Sequence, residues 1–92
     1  MSNHEETVAV KFTVRADPSK DVFLAGDFNR WDPRAKKMAY KPRKGVYAET
    51  VRLTRGTHEY KFIIDGTWCA DPENVLAVAN DCGSFNSIIE VE

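Results

Sequence analysis

Alternation of apolar and polar residues is the dominant pattern along this chain. Thr7–Val14 alternates without interruption, with three valines and Phe12 on one face, which predicts a half-buried strand. Val46–Leu53 and Glu59–Ile64 alternate in the same way and are separated by the turn residues Arg55-Gly56-Thr57. We therefore expect these two segments to pair as an antiparallel hairpin.

Shorter apolar runs bounded by turn residues predict the remaining strands. Asp65-Gly66 is a two-residue turn signal, so Thr67–Cys69 should fold back directly against the residues before the turn. The other predicted strands are Val22–Ala25, which Gly26 ends, a brief Met38–Tyr40 and a final Asn86–Val91. Val75–Ala79 is too weakly patterned to assign.

The spacing of these strands favours one fold class. No ten-residue stretch has apolar residues at helical spacing with good caps, whereas short strands recur at roughly 8–12-residue intervals. We predict an all-β, immunoglobulin-like antiparallel β-sandwich. The 92 residues suffice for one domain, placed at residues 7–92 after a mobile tail at residues 1–6. The expected core includes Phe12, Phe23, Val51, Leu53, Tyr60, Phe62 and Ile89.

Composition and charge narrow the range of functions. A content of 42% hydrophobic and 29% charged residues is typical of a globular domain. The net charge of -1 does not favour nucleic acid as a partner. Asn29–Gly45 carries seven basic residues, and we interpret this stretch as a solvated loop. No apolar run approaches the ~20 residues of a membrane span, and Met1–Thr7 has no apolar stretch of a signal peptide. A cytoplasmic location is the default expectation.

The pattern of reactive side chains argues against catalysis. The acidic residues fall mostly in turns and at the chain ends, so no pair of carboxylates is set around a scissile bond. His4 lies in the tail and His58 in the expected hairpin turn, and neither accompanies a nucleophile. Cys69 and Cys82 lack metal-ligand spacing; reduced thiols are favoured, but a bridge between them stays open. We expect no enzyme activity, no cofactor and no metal.

Two tryptophans stand out because both lie beside turn residues. Trp31 follows Gly26-Asp27-Phe28-Asn29-Arg30, and Trp68 follows Asp65-Gly66-Thr67. One could belong to the core, as in immunoglobulin domains, yet neither lies inside an alternating strand. An exposed indole suits the apolar face of a sugar ring or an aromatic base. Lys61 is on the polar face of its strand and, given the predicted turn, lies near Trp68.

Five ordered blocks of the chain resemble one known family. They are Val22–Trp31, Gly45–Tyr47, Gly56–Trp68, Asp71-Pro72 and Gly83–Ile89. Their order and spacing are similar to those of the family-48 carbohydrate-binding modules, the glycogen- and starch-binding domains of the AMP-activated protein kinase beta subunit and of branching and debranching enzymes. The resemblance, which covers about Val8 to Val91, implies an immunoglobulin-like sandwich that binds α-1,4-linked glucose chains.

The resemblance also implies roles for individual residues. Trp31 and Trp68 match the stacking tryptophans of the family, Lys61 its sugar-binding lysine and Asn86 its binding asparagine. Ser84 stands where the kinase-type modules carry a threonine. Cys82 stands where they place a leucine that reaches toward the sugar, so this contact is shortened here.

The implied partners are an α-glucan and a glucan-metabolising enzyme or kinase subunit, which the module would target to the polymer. The alternative is a protein-interaction or spacer module with little sugar affinity, using the basic Arg34–Lys44 loop or an exposed sheet edge. Both tryptophans, Lys61 and Asn86 favour the glucan-binding interpretation.

Overall fold

A computed structural model describes residues 6–74, 76–79 and 84–92, and these form strands without a helix. The strands are β1 (Thr7–Val14), β2 (Val22–Gly26), β3 (Ala39–Lys41), β4 (Val46–Thr54), β5 (Gly56–Ile64), β6 (Thr67–Cys69), β7 (Ala77–Ala79) and β8 (Phe85–Val91). Residues 1–5 of the expected tail and Cys82 lie outside the described ranges. No helix in these ranges has the length and apolar character needed to cross a membrane.

The strands form two antiparallel sheets. The smaller sheet has the order β1-β4-β3, and all eight residues of β1 pair with β4. The larger sheet has the order β2-β5-β8-β7, with β6 also paired to β5. Because β2 and β6 both pair with residues 62–64 of β5, they lie on its opposite edges. The predicted all-β antiparallel sandwich is confirmed.

The core lies between the two sheets and follows the alternation in the sequence. In β1, Phe12 and Val14 are buried, while Val8 and Val10 are half-buried against the same cluster. Burying such side chains stabilises a fold by about 1.5–3 kcal/mol each before opposing entropy is counted. The other fully buried apolar members are Val22, Leu24, Met38, Tyr47, Leu53, Tyr60, Phe62 and Val91.

The predicted hairpin between β4 and β5 is wrong. β4 pairs with β1 and β3, whereas β5 pairs with β2, β6 and β8. Only Arg55 separates the two strands, which is too short for a two-residue hairpin turn. Gly56 has a φ of 121°, a conformation that glycine tolerates, and it lets the chain pass directly from one sheet to the other.

The prediction that Phe23 belongs to the core is also wrong. Within β2, Val22 and Leu24 belong to the core cluster, so Phe23, which lies between them, must face the opposite side of the sheet. It is half-buried there. Val51 and Ile89 are half-buried against the core, as expected. In the segment that the sequence left unassigned, Ala77–Ala79 forms the edge strand β7.

Candidate functional site

The outer face of the five-stranded sheet carries a row of large apolar side chains. Phe23 of β2 pairs with Ile63 of β5, and Ile63 pairs with Trp68 of β6. Directly opposed residues share a face of the sheet, so the three side chains lie side by side. Trp68 is 42% exposed. The Asp65-Gly66 turn, with φ values of 49° and 83°, folds Trp68 back onto β5 as the sequence predicted.

Lys61 lies on the same face, two residues before Ile63. It is diagonal to Trp68, which places their Cα atoms about 7–8 Å apart. Its side chain is 9% exposed, and its Nζ donates a hydrogen bond to Ser84 Oγ at 2.9 Å. The neighbour of Lys61 in β2 is the small residue Ala25. The hydrogen bond to Ser84 thus holds the ammonium group of Lys61 in place on the outer face of the sheet.

The start of β8 brings two more polar side chains to this region. Ser84 bonds Lys61, and Asn86, two residues later, donates from Nδ2 to Glu59 Oε1 at 3.0 Å. Glu59 pairs with Ile88 in the ladder between β5 and β8. The hydroxyl, amide, ammonium and carboxylate groups therefore form a polar cluster beside Trp68.

The loop after β2 presents Trp31 through a compact turn organised by Asn29. Asn29 Oδ1 accepts from the Gly26 amide at 3.0 Å and its Nδ2 donates to the Leu24 carbonyl at 3.1 Å. Trp31 N also donates to the Gly26 carbonyl at 2.9 Å. Arg30 and Trp31 have φ values of 59° and 58°, which cost about 1–3 kcal/mol each in non-glycine residues. These bonds hold the half-buried Trp31 in that conformation.

Asp27 fastens the same loop to β5. Its amide donates to the Glu59 carbonyl at 3.0 Å, and its Oδ2 accepts from the Glu59 amide at 3.0 Å. Its Oδ1 is 3.1 Å from His58 Nδ1, and His58 Nε2 is 2.9 Å from the Thr54 carbonyl. Burial lowers the pKa of His58, but the bonds to Thr54 and Asp27 outweigh it and leave that pKa raised.

A buried network supports the segment that follows Trp68. The Tyr60 hydroxyl donates to Asp71 Oδ2 at 2.8 Å and accepts from Asn74 Nδ2 at 3.0 Å. The Asp71 amide donates to Oγ of the buried Ser87 at 2.7 Å. Burial raises the pKa of Tyr60 far above its ordinary value. The network gives Asp71 a structural role, and sequence reasoning missed Ser87 because a serine in an alternating strand gives no signal.

Comparison with known proteins identifies the family of the chain. Residues 8–92 match a family described as the glycogen recognition site of AMP-activated protein kinase. The chain belongs to this family. The match confirms the resemblance that the five sequence blocks carried.

Relatives of this glycogen recognition module are subunits of AMP-activated protein kinase. The beta-1 subunit of Sus scrofa is 31% identical over 97% of this chain and 75% of its own length. The beta-1 subunit of Rattus norvegicus is 34% identical over 79% of this chain and 25% of its own length. The beta-2 subunit of Mus musculus is 31% identical over 84% of this chain and 27% of its own length. The chain thus spans about a quarter of the length of the rat and mouse relatives.

The module brings together most, but not all, of the predicted site residues. Lys61 and Ser84 are in contact, and Trp68 and Asn86 lie on the face that Lys61 shares. Trp31 is carried by the neighbouring loop, and neither tryptophan is part of the core cluster. Cys82, the sixth predicted residue, lies outside the described part of the chain. Within that part, no group of three or more His, Cys, Asp and Glu side chains could hold a metal ion.

Proposed function

We propose that this module binds α-1,4-glucans such as glycogen, starch and maltooligosaccharides on the outer face of the five-stranded sheet. The observation that carries the proposal is the exposed indole of Trp68 beside the hydrogen-bonded ammonium group of Lys61. Membership of the glycogen recognition family supports the choice of ligand.

The chemistry of the face suits a glucose chain. The C–H bonds of a pyranose ring give it an apolar face, which stacks on an indole. Trp68 supplies that platform, and Trp31 is proposed as the second one. Lys61 has three N–H donors, of which Ser84 accepts one, so sugar hydroxyls can accept the others. Ser84 and Asn86 are proposed to contact the sugar edge, and Cys82 is kept as a proposed weaker contact.

A shallow site of this kind should bind weakly. Two stacking faces and a few exposed hydrogen bonds correspond to a binding free energy of about -4 to -7 kcal/mol, or a Kd from about 1 mM to roughly 10 μM. A polymer repeats the ligand many times, and the resulting avidity makes such an affinity useful.

We also propose that binding is not accompanied by catalysis. Acidic side chains on and around the face have structural partners: Glu59 accepts a hydrogen bond from Asn86, Asp27 holds the Trp31 loop, and Asp71 accepts one from Tyr60. Activity would show as reducing ends released from maltoheptaose above a buffer blank.

The names of the relatives suggest a setting for this activity. Since they are subunits of AMP-activated protein kinase, we propose that the module targets a kinase complex, or another glucan-metabolising partner, to glycogen in the cytoplasm.

Affinity electrophoresis in native gels containing glycogen tests the central proposal. We expect the wild-type chain to be retarded by glycogen and to be retained far less by cellulose in a pull-down, because a curved α-glucan can follow two platforms on a twisted sheet. Trp68→Ala should migrate as if glycogen were absent. Leu76→Ala is the matched control, since Leu76 is also an exposed large apolar residue, and β8 separates it from β5.

Two outcomes would overturn the proposal. The first is unchanged mobility of the wild-type chain in glycogen gels. The second is equal retention on cellulose and glycogen. Either would favour the alternative of a protein-interaction or spacer module.

A further inference from the structure

A depression of about 360 Å³ opens beside Trp68, on the side away from the polar cluster. Phe23 and Ile63 line it, and because they are paired outward-facing residues of β2 and β5, they form its floor. Trp68 forms one wall. The volume lies within the roughly 300–1,000 Å³ of typical ligand clefts. None of the residues proposed above for sugar binding lines it, except Trp68.

The opposite wall comes from the loop that follows Trp31. Pro33 and Arg34 line the depression, because this loop runs back alongside β2: the Leu24 amide donates to the Lys36 carbonyl at 2.9 Å. The amide of Arg34 is fixed by Asp32 Oδ1 at 2.9 Å. A short turn therefore holds Arg34 across from Trp68.

Within the described part of the chain, the two aspartates around the depression form ion pairs, whereas the arginine does not. Asp21 bonds Lys37 at 3.6 Å, and Asp65 bonds Lys20 at 3.3 Å. Among the residues that the structure describes, the guanidinium group of Arg34 has neither a hydrogen-bond nor an ion-pair partner. It supplies five N–H donors at the edge of an apolar floor.

The depression continues the proposed glucan site along β5. Lys61 and Ile63 face outward in succession, and Asp65 at the rim of the depression follows them. These four residue steps cover about 13 Å at the rise of a strand. Trp68, opposite Ile63, lies between the polar cluster and the depression. A glucan long enough to pass Trp68 from Lys61 would enter the depression.

We infer that this depression is an additional sugar subsite in which Arg34 hydrogen-bonds the hydroxyls of a glucose unit beyond Trp68, so that Arg34 sets the preference for longer chains. The inference rests on the proposed function. Phe23 and Ile63 would face the apolar side of the ring, and Arg34 would donate at its edge. A short chain can satisfy Lys61 and Trp68 without reaching Arg34.

Titration with maltotriose and maltoheptaose, followed by tryptophan fluorescence, tests the inference. Arg34→Ala should weaken maltoheptaose binding about three- to tenfold, the effect of one or two partly exposed charged hydrogen bonds, and leave maltotriose binding unchanged. Arg34→Lys should recover part of the loss, since it keeps the charge and three donors. Arg43→Ala, the same change on the β3–β4 turn of the other sheet, should alter neither affinity.

The possible failures are distinguishable. If Arg34→Ala has no effect on maltoheptaose, or weakens both ligands equally, the subsite is wrong. If it behaves like Arg43→Ala while Lys61→Met still loses both ligands, the subsite is wrong and the proposed glucan site stands. If Lys61→Met and Trp68→Ala lose neither ligand, the proposed function itself fails.

Discussion

At the scale of single residues, Gly26 decides how the Trp31 loop leaves the sheet. A Cβ atom there would lie 2.4 Å from the Phe28 ring and 2.6 Å from the Glu59 carbonyl oxygen, both well inside van der Waals contact. The glycine lets the loop lie against β5, where Asp27 bonds Glu59. This is a requirement for space at a buried position.

We predict that Gly26→Ala lowers the free energy of unfolding by about 1–3 kcal/mol, the usual range for overpacking. Gly45→Ala is the comparison, because no atom lies within 4 Å of its Cβ position and its φ is 68°. It should cost only about 1 kcal/mol of left-handed strain. Urea denaturation measures both. Equal losses in the two variants would show that the close contacts at Gly26 do not matter.

The two proposed types of sugar contact should differ in strength. Trp68→Ala removes a large stacking area and should cost more glucan affinity than Ser84→Ala, which removes one hydroxyl worth about 0.5–1.5 kcal/mol. Because Trp68 is 42% exposed and outside the core, the Tm of the Trp68→Ala variant should stay near the wild-type value. Calorimetric titration and thermal melts test this. Unfolding of Trp68→Ala would mean that the indole is structural.

The positions of site residues could be predicted only where the local sequence pattern indicates them. Trp68 beside a turn and Lys61 on a polar strand face were predicted from local sequence, and the structure places both on one face. Asp27, Glu59 and Ser87 were not, because their importance depends on hydrogen bonds between segments far apart in the chain. Phe23 was misplaced because a short apolar run has no visible alternation.

At the scale of elements, the crossing between β4 and β5 shows why strand patterns do not determine pairing. Apolar and polar residues alternate in both strands, and a connection containing glycine links one strand to the other, so a hairpin was a reasonable expectation. Alternation reports only that one face of each strand is buried. In a sandwich that face can belong to either sheet, and the single residue Arg55 is compatible only with a change of sheet.

His58 links this crossing to the Trp31 loop and predicts a pH dependence. One ring nitrogen is 2.9 Å from the Thr54 carbonyl and the other 3.1 Å from the Asp27 carboxylate. The imidazolium can donate to both, whereas a neutral ring can donate to only one. Phe28 and Ile89 also neighbour the ring, and neither titrates. The raised pKa of His58 agrees with this geometry.

We therefore expect stability to fall as the pH rises. The stabilisation is complete below the ordinary His58 pKa of 6.5 and is lost as the pH passes the raised pKa of the folded state. The Asp65 carboxylate acts in the opposite sense: a hydrogen bond from the Asp21 amide lowers its pKa from 3.8, so its contribution is lost only in acid.

Urea denaturation at several pH values between about 6 and 8 measures the effect. His58→Gln should flatten the pH dependence in this window. An identical slope in wild type and His58→Gln would contradict the role assigned to the imidazolium.

At the scale of the whole molecule, the core between the sheets provides the rigid support for the site. Leu24 of β2 is completely buried in the core. Leu24→Ala should destabilise the fold by about 2–5 kcal/mol through lost burial and a cavity. Leu76→Ala, at an exposed position, should change stability by less than about 0.5 kcal/mol. Similar losses in the two variants would place the core elsewhere.

The sequence predicted the class of the fold and the identity of the family, because turn signals and alternation extend along most of the chain. Apart from the pairing of β5 with β6, it did not predict which strands share a sheet, nor which residues line the depression beside Trp68. Those depend on packing between segments distant in sequence, such as the loop containing Arg34 and the β5–β6 turn.

The central claim is that the outer face of the five-stranded sheet binds α-glucan. Two-dimensional ¹⁵N NMR of the wild-type chain, titrated with maltoheptaose, tests it most directly. We predict saturable shifts of the indole N–H signals of Trp31 and Trp68 and of the amides of Lys61 and Asn86, with the outward-facing residues of β1 and β4 unaffected. Shifts confined to the three-stranded sheet, or no saturable shift at all, would contradict the account.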